Sequence, residues 1–378
     1  MKQTPSLKAY GAVAGREMFL RPTVARIDLK NLRDNYRALR KKLPVIAVVK
    51  ADAYGHGAVE IAKTLENLGV AMFAVALIEE GIELRSAGIK KPILIGGSIY
   101  PFENYVKVAE YKLIPTVASL DSAKALSHIS SSPTKVHVEV DCGMNRTGVG
   151  LQNALAIIIK IATLSNISVD GIYTHFPSAD SDRELTLTQM KRFRNLKYAL
   201  LRAGIKPRFF HASNTAALRF AQTDFNLIRP GLGLYGLKPY PSYRGTKPVM
   251  SFATKIVYLR KIKKGETVSY GGCWKARKNS VIATIPAGYA DGVRRELSGR
   301  GNVLIRGRRF RIAGRVCMDM TMIDVTELKN PCVGEDAVIL GRQGANEISA
   351  EEIAGLCGTI NYEICCGISK RVPRVYVN

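Results

Sequence analysis

The 378-residue chain contains no Cys-x2-Cys pair, no fixed-period repeat, no low-complexity tract and no uninterrupted apolar run of membrane-spanning length. Each absence excludes a class. Seven cysteines, an odd number at positions 142, 273, 317, 332, 357, 365 and 366, supply neither a disulfide framework nor zinc-ligand spacing, so reduced thiols and no metal are expected. The most apolar stretch, 151–169, is interrupted by Gln152, Asn153, Lys160 and Asn166. A charge at mid-membrane is expensive, so this stretch reads as a buried helix rather than a span. Residues 1–21 carry Lys2, Lys8, Arg16 and Glu17 and no apolar signal-peptide core, which reads as a short extension and a cytoplasmic chain. Acidic residues are scarce as well, 31 against 56 Lys and Arg, for a net charge of +25. That charge permits an anionic partner. With no nucleic-acid motif present, scattered basic residues read as a solvated surface.

A composition of 47% hydrophobic and 23% charged residues is that of a globular protein, and the length suits two domains. From residue 45, short apolar runs alternate with segments of helical spacing. The runs are 45–49, 72–76, 93–96, 115–117, 136–140, 169–174, 208–212 and 226–229. Between them lie helical patterns such as 58–68 and 184–203. Eight such units predict a parallel (β/α)8 TIM-type barrel over 22–250. After Pro248 the texture changes to β-branched alternation with glycine turns, at 251–259, 281–285, 302–305, 309–314, 322–325 and 337–340. This predicts a C-terminal, mostly-β domain over 251–378.

In a barrel, functional groups project from the carboxyl-terminal ends of the strands. The first run ends in Lys50, and a lysine closing a buried strand is costly unless paired or neutralised. The fifth run ends in Glu139, Asp141 and Arg146, the sixth in His175, the seventh in Ser213, Asn214 and Thr215, and the eighth in Arg229, Pro230 and Gly231. Taken singly, His175 reads as a core histidine and Asn214-Thr215 as a helix cap. Together, Thr215 and Gly231 sit where barrel enzymes cradle phosphate on backbone N–H groups. A phosphate cradle facing a strand-end lysine implies a phosphorylated carbonyl cofactor, pyridoxal 5'-phosphate.

The run Ala47-Val48-Val49-Lys50-Ala51-Asp52-Ala53-Tyr54-Gly55-His56-Gly57 resembles the cofactor-lysine signature of bacterial alanine racemases, the fold-type III family that uses pyridoxal 5'-phosphate. Further similar motifs follow in order: Asp141-Cys142-Gly143-Met144-Asn145-Arg146, Tyr173-Thr174-His175-Phe176, His211-Ala212-Ser213-Asn214-Thr215, Ile228-Arg229-Pro230-Gly231, Val268-Ser269-Tyr270-Gly271, 285–292, 314–319 and 359–363. The resemblance covers nearly the whole chain from about residue 22.

The resemblance implies a homodimer that interconverts L- and D-alanine and supplies D-alanine for peptidoglycan. Lys50 would carry the cofactor and act as base on one face of the substrate, with Tyr270 of the partner subunit acting on the other. Inverting a carbon requires both, because a proton leaves one side and another returns on the opposite side. A tyrosine of ordinary pKa about 10 is a poor base alone, and His175 followed by Arg229 supplies its supporting chain. Arg229 would face the pyridine nitrogen and, holding its proton, limit side reactions such as transamination. His211 would orient Arg229. Tyr54, Thr215, Gly231, Leu232 and Tyr362 match phosphate contacts, and Arg146 matches the substrate-carboxylate contact. Met318 and Tyr289, with Asp319, Arg294, Arg315 and Asp180, match a narrow shared entrance that favours a small side chain.

One position departs from the family. Where many relatives carry a carbamylated lysine, this chain has Glu139, whose carboxylate is expected to pair with Arg146 directly. The alternatives are a broader-specificity amino-acid racemase, whose relatives usually work outside the cytoplasm, and a non-catalytic pyridoxal-phosphate-binding protein, which would not need the β domain. A barrel decarboxylase is disfavoured by Arg229 and Tyr270.

Overall fold

The computed structural model describes residues 20–40, 43–220 and 224–378. The expected N-terminal extension therefore falls outside the described residues over 1–19. One strand, β1 (Val24–Asp28), and the helix Leu29–Arg40 precede a ring of parallel strands. These are β2 (Ile46–Val48), β3 (Met72–Val75), β4 (Ile93–Ile95), β5 (Ile114–Val117), β6 (Thr134–Asp141) with the short β7 (Val149–Gly150) at its edge, β8 (Ile167–Tyr173) and β9 (Phe209–His211). The eighth stave is the segment 226–229. Asn226 N donates to Phe210 O at 3.1 Å on one side, while on the other Ile46 N donates to Ile228 O at 2.8 Å and Val48 N to Pro230 O at 3.1 Å. The ring is closed.

Barrel strands are covered on both faces, which is why they read as near-continuous apolar runs. The floor of the barrel is apolar, formed by Ile46, Met72, Ala74, Leu94, Ile114 and Leu227. Above it the interior turns polar, with buried Thr116, His137, Glu139, His211 and Arg229. Helices such as Ala58–Asn67, which buries Ile61, Ala62 and Leu65, close the outside. Within the apolar stretch 151–169, the helix is Ala154–Ala162 and buries Ala154, Ile158 and Ile161. Among the described residues no helix is long and apolar enough to cross a membrane.

The second unit contains β10 (Met250–Lys255), β11 (Tyr258–Ile262), β12 (Thr267–Val268), β13 (Trp274–Lys275), β14 (Ser280–Ile285), β15 (Asn302–Ile305), β16 (Arg308–Arg311), β17 (Thr321–Asp324), β18 (Asp336–Gln343), β19 (Asn346–Ile348) and β20 (Arg374–Val377). Its large sheet runs β16-β15-β18-β10-β1-β20, and β11-β14-β17 form a second.

Two features differ from the sequence expectation. Residues 24–28, assigned to the barrel, lie instead in the second unit's sheet, with Ala25 opposite Phe252 on β10 and opposite Arg374 on β20. The reason is visible in the strand: Ala25 and Ile27 are fully buried between more exposed neighbours, the half-buried pattern of a mixed sheet rather than a barrel stave. The expected single strand 251–259 is two strands in different sheets, because the chain crosses over where Ile256 N bonds Glu335 O and Val257 N bonds Thr284 O.

Candidate active site

Lys50 stands at the carboxyl end of β2 and opens an unusual turn. Ala51, Asp52, Ala53 and Tyr54 all adopt left-handed angles, φ 52 to 56 and ψ 37 to 53. For L-residues this costs about 1–2 kcal/mol each, so the surroundings must hold it. They do so at both ends. Glu80 accepts from Ala51 N at 2.5 Å and from Ala76 N at 2.7 Å, while Asp52 accepts from Ala58 N at 2.7 Å. At Gly55, φ is 82, and a Cβ would lie 2.3 Å from Cys365 O, so the turn is pressed against the helix Asn361–Cys366. That helix delivers Tyr362, whose ring centroid is 6.1 Å from that of Tyr54.

Desolvation lowers the Lys50 ammonium pKa below its ordinary value, and the Arg146 cation pushes in the same direction against the opposing pull of Glu80. A neutral amine is therefore easier to reach here than on an open surface.

Arg229 is 7% exposed and tightly wired. Nη1 donates to His211 Nδ1 at 2.7 Å, and Nη2 to Thr174 O at 2.7 Å, Ala212 O at 3.2 Å and His175 Nδ1 at 3.4 Å. Its guanidinium lies 4.9 Å from the centroid of the Tyr173 ring. Burial pushes its pKa down to about 10, which still leaves it protonated at neutral pH. Burial first, and the Arg229 charge second, push His175 down to about 3, so that imidazole is neutral.

Thr215 Oγ1 accepts from Gly233 N at 3.1 Å and from Gly231 N at 3.3 Å. A Cβ on Gly231 would sit 2.6 Å from Tyr54 Oη, so the backbone there passes close under the phenol. Leu232 follows in the short 3-10 turn Leu232–Tyr235. The structure thus brings Lys50, Tyr54, His175, Thr215, Arg229, Gly231, Leu232 and Tyr362 to one barrel mouth.

A second group gathers on the β domain. Ser269 Oγ donates to Arg315 O at 2.7 Å, Tyr289 N to Cys317 O at 2.9 Å and Ala290 N to Met318 O at 3.0 Å, which places Tyr270, Arg315, Tyr289 and Met318 on one face. Tyr270 is 71% exposed. Asp319 pairs with Arg371 at 2.7 Å and Arg294 with Glu363 at 2.9 Å, while a cavity of about 310 Å³ opens between Tyr289 and Arg294. Asp180 is exposed and raises Tyr362, after the larger effect of burial. Among the described residues no hydrogen bond, ion pair or ring contact joins Tyr270 to Lys50, Tyr54 or Arg229.

The expected Glu139–Arg146 pair is not formed. Glu139 is 4% exposed and accepts a short hydrogen bond from Thr147 Oγ1, whereas Arg146 is exposed and enters no ion pair among the described residues. Glu139 lies in the buried interior with Thr147 as its hydrogen-bond donor, while Arg146 stands in the open. Burial holds its carboxyl above the usual carboxylate range.

Sequence reasoning missed three residues that shape this mouth. Tyr235 donates to Val48 O at 2.8 Å and packs its ring on Tyr54 at 4.9 Å. Tyr173 stacks on His211 at 4.9 Å beneath Arg229. His137 bonds His211 at 2.8 Å. The signal for the last was strict alternation in Val136-His137-Val138-Glu139-Val140-Asp141, valines outward and polar groups inward.

The residues fit pyridoxal 5'-phosphate. Among the described residues Lys50, Arg146 and Arg229 are three cations around one mouth that enter no ion pair, an arrangement that asks for an anion. Beside them are a close-approach glycine and a hydroxyl at a backbone turn. A cavity of about 550 Å³, lined by Arg85, Lys90, Lys112 and Lys135, opens at the other end of the barrel.

The family models for the alanine racemase N-terminal and C-terminal domains match residues 27–239 and 249–376. The alanine racemase of Halothermothrix orenii is 44% identical over 370 residues, covering 95% of this chain and 97% of its own. That of Geobacter sulfurreducens is 41% identical over 374 residues, covering 95% and 98%. Among solved structures, alanine racemase of Clostridium difficile 630 superposes with a TM-score of 0.90 at 36% identity over 95% of this chain and 97% of that one. The Bacillus anthracis alanine racemase with bound L-Ala-P gives 0.90 at 34% identity over 96% of each. Two domain models in tandem, full-length relatives and a shared two-domain fold agree: the chain belongs to the alanine racemase family.

Proposed function

We propose that this protein interconverts L- and D-alanine with pyridoxal 5'-phosphate held on Lys50, using Lys50 and Tyr270 of the partner subunit as the two bases. The observation that carries the reading is Arg229: a buried guanidinium, fixed by two histidines and two carbonyls, at the same barrel mouth as a strand-end lysine of lowered pKa. When bound to the amino group of alanine, the cofactor acidifies the Cα–H by drawing its electrons toward the ring.

The chain's own groups do the rest. Lys50, unprotonated more readily because it is desolvated, takes or returns the proton on its face of the substrate. Arg229, which holds its proton at neutral pH, would face the ring nitrogen and leave it unprotonated, a weaker electron sink. His175 accepts from Arg229 at Nδ1, so as a neutral ring it carries its proton on Nε2 and presents a donor toward a phenol oxygen. Thr215, Gly231, Leu232, Tyr54 and Tyr362 would hold the phosphate, and Arg146 would meet the substrate carboxylate.

Tyr270 makes no contact with this mouth in its own chain among the described residues, and Tyr289, Met318 and Met320 of the same unit are exposed as it is. Those features support a head-to-tail homodimer in which each mouth is completed by the other subunit. Tyr289, Met318, Asp319, Arg294, Arg315 and Asp180 then line the entrance. Supply of D-alanine for cell-wall peptidoglycan in the cytoplasm is the role that fits this reaction. The test is the absorbance spectrum of the purified protein followed by chiral analysis of products from L-alanine, D-alanine and several larger amino acids. A visible band with D/L conversion limited to alanine is expected; no conversion of either enantiomer would sink the reading.

A further inference from the structure

We propose that His137 is a positioning residue of this site, which accepts the Nε2–H of His211 and so holds the ring that aims Arg229. The inference rests on the reading of Arg229 as the group facing the cofactor ring.

The direction of every proton follows from one group that cannot accept. Arg229 Nη1 lies 2.7 Å from His211 Nδ1, and a guanidinium has donors only. His211 Nδ1 therefore carries no proton. A neutral His211 bears its proton on Nε2, which points at His137 Nδ1 at 2.8 Å. His137 accepts there and so carries its own proton on Nε2. Neutrality of both rings suits their surroundings: each is fully buried, and burial first and the Arg229 charge second push His211 well below its ordinary value and His137 to about 3. The opposite tautomer of His211 would set an N–H against the Arg229 N–H, and the guanidinium would turn away.

The seat of His137 is built for it. Residue 171 on β8 pairs with His137 on β6 and is glycine, where a Cβ would lie 2.6 Å from His137 Nδ1 and Cε1. The imidazole has room only because no side chain stands opposite. His137 Nε2 is buried with no partner among the described residues, a standing cost. One layer below, the barrel floor is wholly apolar. A histidine kept with a dangling donor, where packing alone would favour an aliphatic side chain, acts through its other nitrogen. The chain Arg229, His211, His137 also ends blind, so it gives Arg229 no histidine route to exchange its proton.

The chain has only five histidines, so histidine-selective 15N labelling and long-range proton–nitrogen spectra read the tautomers directly. In the parent protein, His211 and His137 should both be Nε2–H at about pH 7. His137→Leu should leave the His211 Nε2–H without an acceptor, move its proton resonance out of the hydrogen-bonded range and lower kcat about tenfold, the worth of one buried hydrogen bond, with KM for alanine changed less than about threefold. His137→Asn, whose Oδ1 can stand where Nδ1 stood, should restore both. Gly171→Ala, which crowds the ring without touching its chemistry, should shift the His211 Nε2–H resonance as well, and it serves if the leucine variant does not fold. A parent His211 protonated on Nδ1, or a His137→Leu protein unchanged in the His211 Nε2–H resonance or in kcat, overturns the proposal. A parent that racemises nothing sinks the proposed function instead; the tautomer spectra need no turnover and still decide about His137.

Discussion

The barrel mouth and the Tyr270 face of the β domain hold the same kinds of residue in opposite states. Arg229 is 7% exposed and bonded to four acceptors, whereas Tyr270 is 71% exposed and its hydroxyl has no partner among the described residues. Thr215 is locked to two backbone N–H groups, whereas Met318 and Tyr289 stand in the open. One region is organised by its own fold. The other has the composition of a contact surface, aromatic and methionine-rich with an ion-paired edge at Asp319–Arg371 and Arg294–Glu363. Pre-organisation therefore divides along the chain: the groups proposed to hold the cofactor are fixed before anything binds, and the group proposed to act from the other side waits for a second subunit.

The comparison predicts unequal and separable losses. Lys50→Ala should remove activity by at least about 10³-fold and abolish the visible absorption; borohydride trapping the cofactor on another lysine would place the wired half-site elsewhere. Tyr270→Phe should cost about 10² to 10⁴ in kcat, the usual worth of a positioned base, while leaving the absorption in place because the groups proposed to hold the cofactor belong to the barrel. Mixing these two inactive proteins should recover about a quarter of parental activity, since half of randomly formed dimers are hybrids and each hybrid has one intact site. No recovery after demonstrated exchange would mean that the two regions complete one another within a single chain.

Gly231→Ala probes the wired half alone. The new methyl would meet Tyr54 Oη at 2.6 Å, so cofactor affinity, followed by equilibrium dialysis, should weaken about tenfold while the dimer mass stays the same. A variant that binds as tightly as the parent would remove Gly231 from the cradle.

What could be read from the sequence follows the same division. Barrel strands are buried on both faces, and their apolar runs announced all eight staves, including 226–229, which is held by isolated bridges rather than a full ladder. Groups at strand ends were legible because the barrel topology says where they point. Pairings between distant parts of the chain were not. Nothing in Val24–Asp28 indicates that it joins β10 and β20, and nothing in Ala51-Asp52-Ala53-Tyr54, a stretch without glycine, betrays four left-handed residues. Those conformations are imposed by Glu80, Asp52 and the helix Asn361–Cys366, contacts that no local pattern encodes.

Glu139 gives the smallest expected effect and the sharpest test of where the wired interior ends. Burial first, against the Thr147 hydrogen bond and the attraction of Arg229 and Arg146, holds its carboxyl above the usual carboxylate range. A carboxyl raised in the folded chain binds its proton more tightly there than when unfolded. It contributes stability below the ordinary value of about 4.3 and loses it as pH rises through the raised one. Glu139→Gln keeps an acceptor for Thr147 and has no charge to bury, so it should gain on the parent as pH climbs. The expected difference in Tm is near zero at about pH 4 and a few degrees in favour of the variant at about pH 8. KM for alanine should change less than about threefold, because Arg146 stands in the open and is not bonded to residue 139. The opposite result, a variant that melts lower at about pH 8 with KM raised several-fold, would mean that Arg146 closes onto Glu139 in solution, since breaking a buried pair from one side costs about 3–5 kcal/mol. Arg146 would then belong to the half of the site that is set before the partner arrives.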